Sequence, residues 1–263
     1  MQGARIEFPP CIALLDAPGL AQELSRDDVH VWGCSLEGDA ECVARAARVL
    51  ADAERQRAER FRDELHRTRY ILAHAALRAV LARYCDTRPA ELEIAQSPGG
   101  KPALVHPLAV QFNLAHAHDR ALIAVARQRA VGVDLEHASA ARDAHAVADL
   151  YLHPRERTAL QSMPGEAAHR CFLRYWVAKE ALVKGDGSGV SLGLDSFALE
   201  VHLDVATIDT RGCAHLAPDW RIQFLSIGDE WQGAVAARGN SWRVSDGWSR
   251  STAPCLSNGA HRQ

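Results

Sequence analysis

Twice along its 263 residues this chain changes the period of its apolar side chains. A block with apolar residues at three- and four-residue steps gives way each time to short runs in which they alternate, and that change separates helix from strand. In the first block Tyr70, Ala73, Leu77, Val80, Leu81 and Tyr84 share one stripe, which predicts a helix facing a core. The charges between them, Arg69, Arg78 and Arg83, read as a solvated face. A strand is expected before this block at residues 29–36, and more after it at 110–114, 122–126 and 130–136. The second block covers residues 142–184, where His153-Pro154 and Pro164-Gly165 divide it into three helices. Alternation then returns around 197–203, 222–227 and 233–237.

A strand, a helical block and several strands in each half predict an α/β (α+β) chain of two stacked subdomains, although a single mixed sheet with helices on one side satisfies the same pattern. The expected division is an N-terminal subdomain over 1–127, a C-terminal subdomain over 128–238, and a polar tail over 239–263. Apart from Trp242 and Trp248 the tail is mostly Ser, Asn, Gly and Arg, which predicts a loosely held segment.

Composition excludes some functions. With 48% hydrophobic and 24% charged residues and a net charge of -3, the chain reads as globular and lacks the basic excess that nucleic-acid binding requires. No stretch approaches the ~20 apolar residues of a membrane span, and the apolar run from Cys11 to Leu15 is cut short by Asp16 and Pro18. A cytoplasmic location with no membrane partner is therefore expected, and a monomer is expected besides. The seven cysteines are scattered without the close pairs of metal or redox motifs and read as reduced thiols.

Four segments carry candidate chemistry. Along Val131-Gly132-Val133-Asp134-Leu135-Glu136 the strand period puts Asp134 and Glu136 on one face, as hard oxygen ligands suited to Mg²⁺. A solvated strand end is the plainer alternative. In Trp176 to Lys184 the residues Trp176, Glu180 and Lys184 stand four apart on one helical face; a surface ion pair has the same spacing. His116, ending Phe112-Asn113-Leu114-Ala115-His116, has the chemistry to donate to a phosphate or to serve as a structural residue. Lys101, after Gly99-Gly100, offers a point charge beside flexible backbone, though a turn lysine is usually solvated. Arg57, Arg67 and Thr68 lie on or near the helix preceding Tyr70 and add two cations and a hydroxyl.

In this order the segments GGKPAL, FNLAHA, VGVDLE and FLRYWVAKEALVKGDGSGVSLGLDSF resemble the motif set of the Sfp-type 4′-phosphopantetheinyl transferases, from about Arg57 to Ala237. The resemblance implies a pseudo-dimer of two similar subdomains with coenzyme A in the cleft between them. It implies transfer of the phosphopantetheine arm to a serine of an apo acyl or peptidyl carrier protein. Asp134, Glu136 and Glu180 would hold Mg²⁺, with Glu180, Lys184 and Asp134 catalytic. Lys101, His116 and Lys184 would bind phosphate, and Arg67, Thr68 and Arg57 would lie near the nucleotide end of coenzyme A. Ala115 stands where the family commonly has Ser, which predicts the loss of one phosphate hydrogen bond and somewhat weaker coenzyme A binding. A non-catalytic binding module and a Mg²⁺-dependent pyrophosphate hydrolase are the competing readings.

Overall fold

A long helix needs a start, an end and a face to bury, and residues 63–86 supply all three. The Asp63 carboxylate accepts from the His66 N–H at 2.9 Å, and Asp86 closes the other end in the left-handed region at φ 48°. The fold is a computed structural model that describes residues 4–16, 22–97, 99–106, 109–140, 144–209 and 219–251. Its first half contains α1 (Cys11–Asp16), β1 (Asp28–Ser35), α2 (Ala40–Ala47), α3 (Asp52–Glu59), α4 (Glu64–Cys85), β2 (Ile94–Gln96), β3 (Pro102–Leu104), β4 (Val110–Ala117) and β5 (Arg120–Arg127). The second continues with β6 (Val131–His137), α5 (Ala144–Tyr151), α6 (Pro154–Gln161), α7 (Gly165–Asp186), β7 (Ala198–His202), β8 (Val205–Asp209), β9 (Trp220–Phe224), β10 (Trp231–Arg238), β11 (Arg243–Asp246) and α8 (Gly247–Ser251).

The strands form one sheet in the order β11-β1-β5-β4, a second in the order β6-β10-β9-β8-β7, and the small hairpin β2-β3. Alternation places each sheet between two apolar layers. On β5, Ala121, Ile123 and Val125 pack with α4, while Leu122, Ala124 and Ala126 turn the other way. That second face meets Val131, Val133 and Leu135 of β6 and Val235 of β10 in a core shared by both sheets. Beyond the second sheet, Val177, Ala181 and Leu182 of α7 close on Ile222, Ala234 and Ala236. The resulting order is helix, sheet, sheet, helix, and the single mixed sheet does not form.

The two prolines that divide the second block act as expected, with Pro154 in the first turn of α6 and Pro164 at the N-cap of α7. Other expectations need correction. Arg78 and Arg83 are not solvated, because α1, α2 and α3 cover the face of α4 that carries them. Arg78 is 2% exposed and donates to Glu54 Oε2 at 2.6 Å and to Pro89 O and Leu92 O at 3.0 Å. Burial alone would raise the Glu54 pKa, but hydrogen bonds from His74, Arg78 and the Ala51 N–H outweigh it and bring it to about 2. Arg83 lies 5.1 Å from the Trp32 ring.

The tail is also more ordered than its polar composition suggested. Arg243–Asp246 pair in parallel with Asp28–Val31, Trp242 is buried in the shared core, and the Trp248 indole donates to Gly33 O at 2.8 Å. Two tryptophans thus anchor what the intervening polar residues cannot. Residues 252–263, with Cys255, lie outside the described residues, as do Cys213 and Arg142. Cys11, Cys34, Cys42, Cys85 and Cys171 are free thiols. No helix among the described residues is long and apolar enough to cross a membrane.

Candidate active site

Strand β6 and helix α7 approach so closely that only glycine fits between them. A Cβ on Gly132 would fall 2.0 Å from Ala181 O and 2.3 Å from Gly185 N, and one on Gly185 would meet the Trp220 ring at 2.8 Å. This contact lets the acidic face of β6 look onto the face of α7 that carries Trp176, Glu180 and Lys184.

Lys184 Nζ donates to Asp134 Oδ1 at 2.6 Å. Asp134 is 4% exposed, and burial pushes its pKa up to about 7, with Lys184 opposing and the charges of Glu136 and Glu180 reinforcing the rise. Glu136 is raised as well, first by burial and then by Glu180, against the pull of Lys184 and of a hydrogen bond from the Trp176 side chain. For Lys184 burial works downward, but Asp134, Glu180 and Glu136 together hold the ammonium above its ordinary pKa. It remains a cation at neutral pH.

The carboxylates suit a divalent cation in donor type and charge. They are hard oxygens, they outnumber the single ammonium among them, and Asp134 Oδ2 is buried without a hydrogen-bond partner. Their convergence is less complete than expected. Among the described residues no three His, Cys, Asp or Glu side chains stand together as a formed metal site, and Asp134 is paired with Lys184 instead.

The adjacent cleft measures about 590 Å³ and is lined by Gly99 to Pro102, Asn113, Tyr151, Trp176, Glu180 and Lys184, a size common for ligand sites. Lys101 reaches it from the turn before β3, but its Nζ donates to Val131 O and Gly185 O, each at 2.8 Å. Burial lowers its pKa to about 8, partly offset by Asp186. His116 is exposed on β4; desolvation by the protein around its ring lowers its pKa, and the positive fields of His74, Lys184 and Arg69 lower it further.

The more distant candidates are not drawn into this group. Arg57 on α3 is exposed and lies 6.0 Å from the Tyr70 ring, and Arg67 on α4 turns toward Glu64 at 3.6 Å. Thr68 lies on the same turn of α4. The α4 residues that act on His116, Arg69 and His74, leave no mark in the sequence pattern, where Arg69 reads as a solvated charge. Asn113 leaves none either: its Oδ1 accepts from the Val133 N–H at 2.9 Å, joining β4 to β6. Ala115 is 4% exposed and packs in the shared core, so its methyl faces apolar neighbours.

Lys101, Glu180 and Lys184 line one ligand-sized cleft, with Asp134 joined to Lys184, and give the α/β chain the charged groups of an enzyme of phosphate chemistry. The profile of the 4′-phosphopantetheinyl transferase superfamily matches residues 130–236, the stretch from β6 to β10. The chain is 32% identical over 247 residues to the 4′-phosphopantetheinyl transferase HetI of Nostoc sp., covering 92% of this chain and 97% of that protein. It is 29% identical to a phosphopantetheinyl transferase of Thraustochytrium sp. over 215 residues, 75% of each. To the 4′-phosphopantetheinyl transferase Sfp of Bacillus subtilis it is 25% identical over 157 residues, 59% of this chain and 68% of that one. The chain belongs to the 4′-phosphopantetheinyl transferase superfamily.

Proposed function

We propose that this enzyme transfers the 4′-phosphopantetheine arm of coenzyme A to a serine of an apo carrier protein and releases 3′,5′-ADP. The observation that carries this reading is that Glu180 and Lys184 of α7 line the cleft while Lys184 reaches back to Asp134 of β6 at 2.6 Å, within the electrostatic reach of Glu136. In the reaction the serine oxygen bonds to the phosphorus that bears the pantetheine arm. The bond from that phosphorus to the bridging oxygen breaks, and negative charge develops on the departing phosphate. Lys184, kept protonated by its carboxylate neighbours, meets that charge, and Glu180 accepts the serine proton. Arg69 contributes positive potential for the phosphates on the β4 side, His116 offers them a ring N–H, and Arg57, Arg67 and Thr68 are assigned to the nucleotide end. Asp134, Glu136 and Glu180 would hold Mg²⁺, which when bound supplies Lewis-acid stabilisation to pyrophosphate oxygens.

In the same reading residues 1–127 and 128–238 are two related lobes of a pseudo-dimer, supported by the 22-residue helix that each contributes, α4 and α7. The carrier approaches over the segment between Glu136 and Arg157, and the enzyme works as a cytoplasmic monomer. The test is to incubate the protein with coenzyme A, Mg²⁺ and an apo carrier and to weigh the carrier. A mass gain of one phosphopantetheine, abolished by Glu180→Gln, is the expected result. Release of nucleotide without a mass gain makes the protein a hydrolase, and binding without turnover makes it a non-catalytic module.

A further inference from the structure

Two side chains cross the seam between the sheets, and both end on the strand that carries Asp134. From the turn before β3, Lys101 Nζ reaches Val131 O; from β4, Asn113 Oδ1 reaches the Val133 N–H. Strand β6 is the edge of its sheet, with β10 on one side only. Residues 131 and 133 present their backbone groups to the open side, where an edge strand lacks ladder partners. Lys101 and Asn113 supply those partners at alternate residues, on either side of the glycine that admits α7.

Lys101 has a second acceptor, Gly185 O, in the last turn of α7. Carbonyls there have no partner within the helix, and a positive charge is favoured beside them. The turn is seated directly on this helix end, since a Cβ on Gly99 would lie 2.5 Å from Gly187 O. One ammonium therefore binds a loop of the first half of the chain to both elements that carry the acidic cluster.

We infer that Lys101 and Asn113 are positioning residues. They hold β6 in register with α7, so that Asp134 and Glu136 stay aligned with Glu180 and Lys184, and this replaces the expectation that Lys101 binds phosphate. The inference rests on the transferase reading for its kinetic consequence and on the hydrogen bonds alone for its structural one.

Lys101→Met and Asn113→Leu in the full chain separate the possibilities through three measurements. These are hydrogen exchange of β6 and α7 amides without ligand, the Kd for 3′,5′-ADP, and kcat and KM for coenzyme A. Exchange of the Val133 amide in Asn113→Leu, and of the end of α7 in Lys101→Met, should rise by about tenfold or more, because each change removes a partner that protects backbone from opening. In both variants kcat should fall by about tenfold or more, as misplacement of catalytic groups does. KM and the nucleotide Kd should stay within about threefold, since uniform binding is untouched. Unchanged exchange overturns the inference, and so does a Lys101→Met variant that keeps its kcat while binding the nucleotide about tenfold more weakly. A wild-type protein that transfers nothing defeats the transferase reading, while exchange still decides the clamp. If Lys101→Met does not fold, Lys101→Arg takes its place with the same two outcomes.

Discussion

Five residues apart on α7, Lys179 and Lys184 each donate to a buried carboxylate, at 2.8 Å to Glu156 and at 2.6 Å to Asp134. Their surroundings differ. Lys179 is fully buried and also donates to Leu194 O and Phe197 O at 2.6 Å, with the Phe197 ring 4.4 Å away. Glu156 in turn accepts from the Leu199 and His153 N–H groups, so both of its oxygens are used. Asp134, by contrast, keeps one oxygen without a partner, and Lys184 is about one-third exposed. A saturated ion pair fixes α6, α7 and β7 together and has nothing left to offer a ligand. An unsaturated one retains coordinating capacity, at a cost in stability.

The largest effect that tests this contrast is Lys179→Met. Loss of one partner from a buried pair leaves an uncompensated charge, so unfolding free energy by urea titration should drop by about 3–5 kcal/mol. A drop no greater than that of a surface substitution would erase the difference between the two lysines. Next comes Asp134→Asn, which keeps the volume and removes the charge. Transfer to an apo carrier should fall by about a hundredfold or more, while stability in metal-free buffer holds within about 1 kcal/mol. Wild-type turnover from this variant would show that the unsaturated pair is not catalytic.

A smaller effect concerns pH. The folded pKa of Asp134, about 7, lies above its ordinary value of 3.8, so folding takes up a proton between these limits. In EDTA the wild type should therefore gain stability as pH falls from about 7 to about 4, and Asp134→Asn should lack that gain, a difference of order 1 kcal/mol or more. Glu156 is also raised, by burial first, but it is present in both proteins and cancels in the comparison. Parallel pH profiles would count against the buried carboxylate. The smallest effect belongs to Glu166→Ala, which breaks an exposed pair with Arg170 on the same helix and should change the melt by only about 0.3–0.5 kcal/mol.

Much of this was legible in the sequence where neighbours in the chain determine the outcome. Pro154 and Pro164 bracket helices whatever surrounds them, and strand and helix periods put Asp134 with Glu136, and Glu180 with Lys184, on shared faces. Contacts between distant segments were less legible. Arg78 looks like any surface arginine until Glu54 and two carbonyls surround it. The partners of Lys101 are the backbone carbonyls of Val131 and Gly185, which leave no trace in residue identity. The edge pairing of β11 joins residues about two hundred positions apart, and no local pattern announces it. Carboxylates that share a face do not by that fact share a metal, and the alternation that pairs Asp134 with Glu136 does not place Glu180 at bonding distance.

The return of Arg243–Asp246 to the side of β1 has a consequence for how the protein is made. On the ribosome, the sheet begun at residue 28 waits for its outer strand until residues 243–246 have emerged, after every strand of the other sheet. A chain released early, anywhere before Trp242, leaves the backbone of β1 bare along one side and Trp32 without the Trp248 indole that meets it edge to face. Closure of the first sheet therefore comes after the whole of the second, and products truncated before Trp242 should be recognisable to proteases by that open edge.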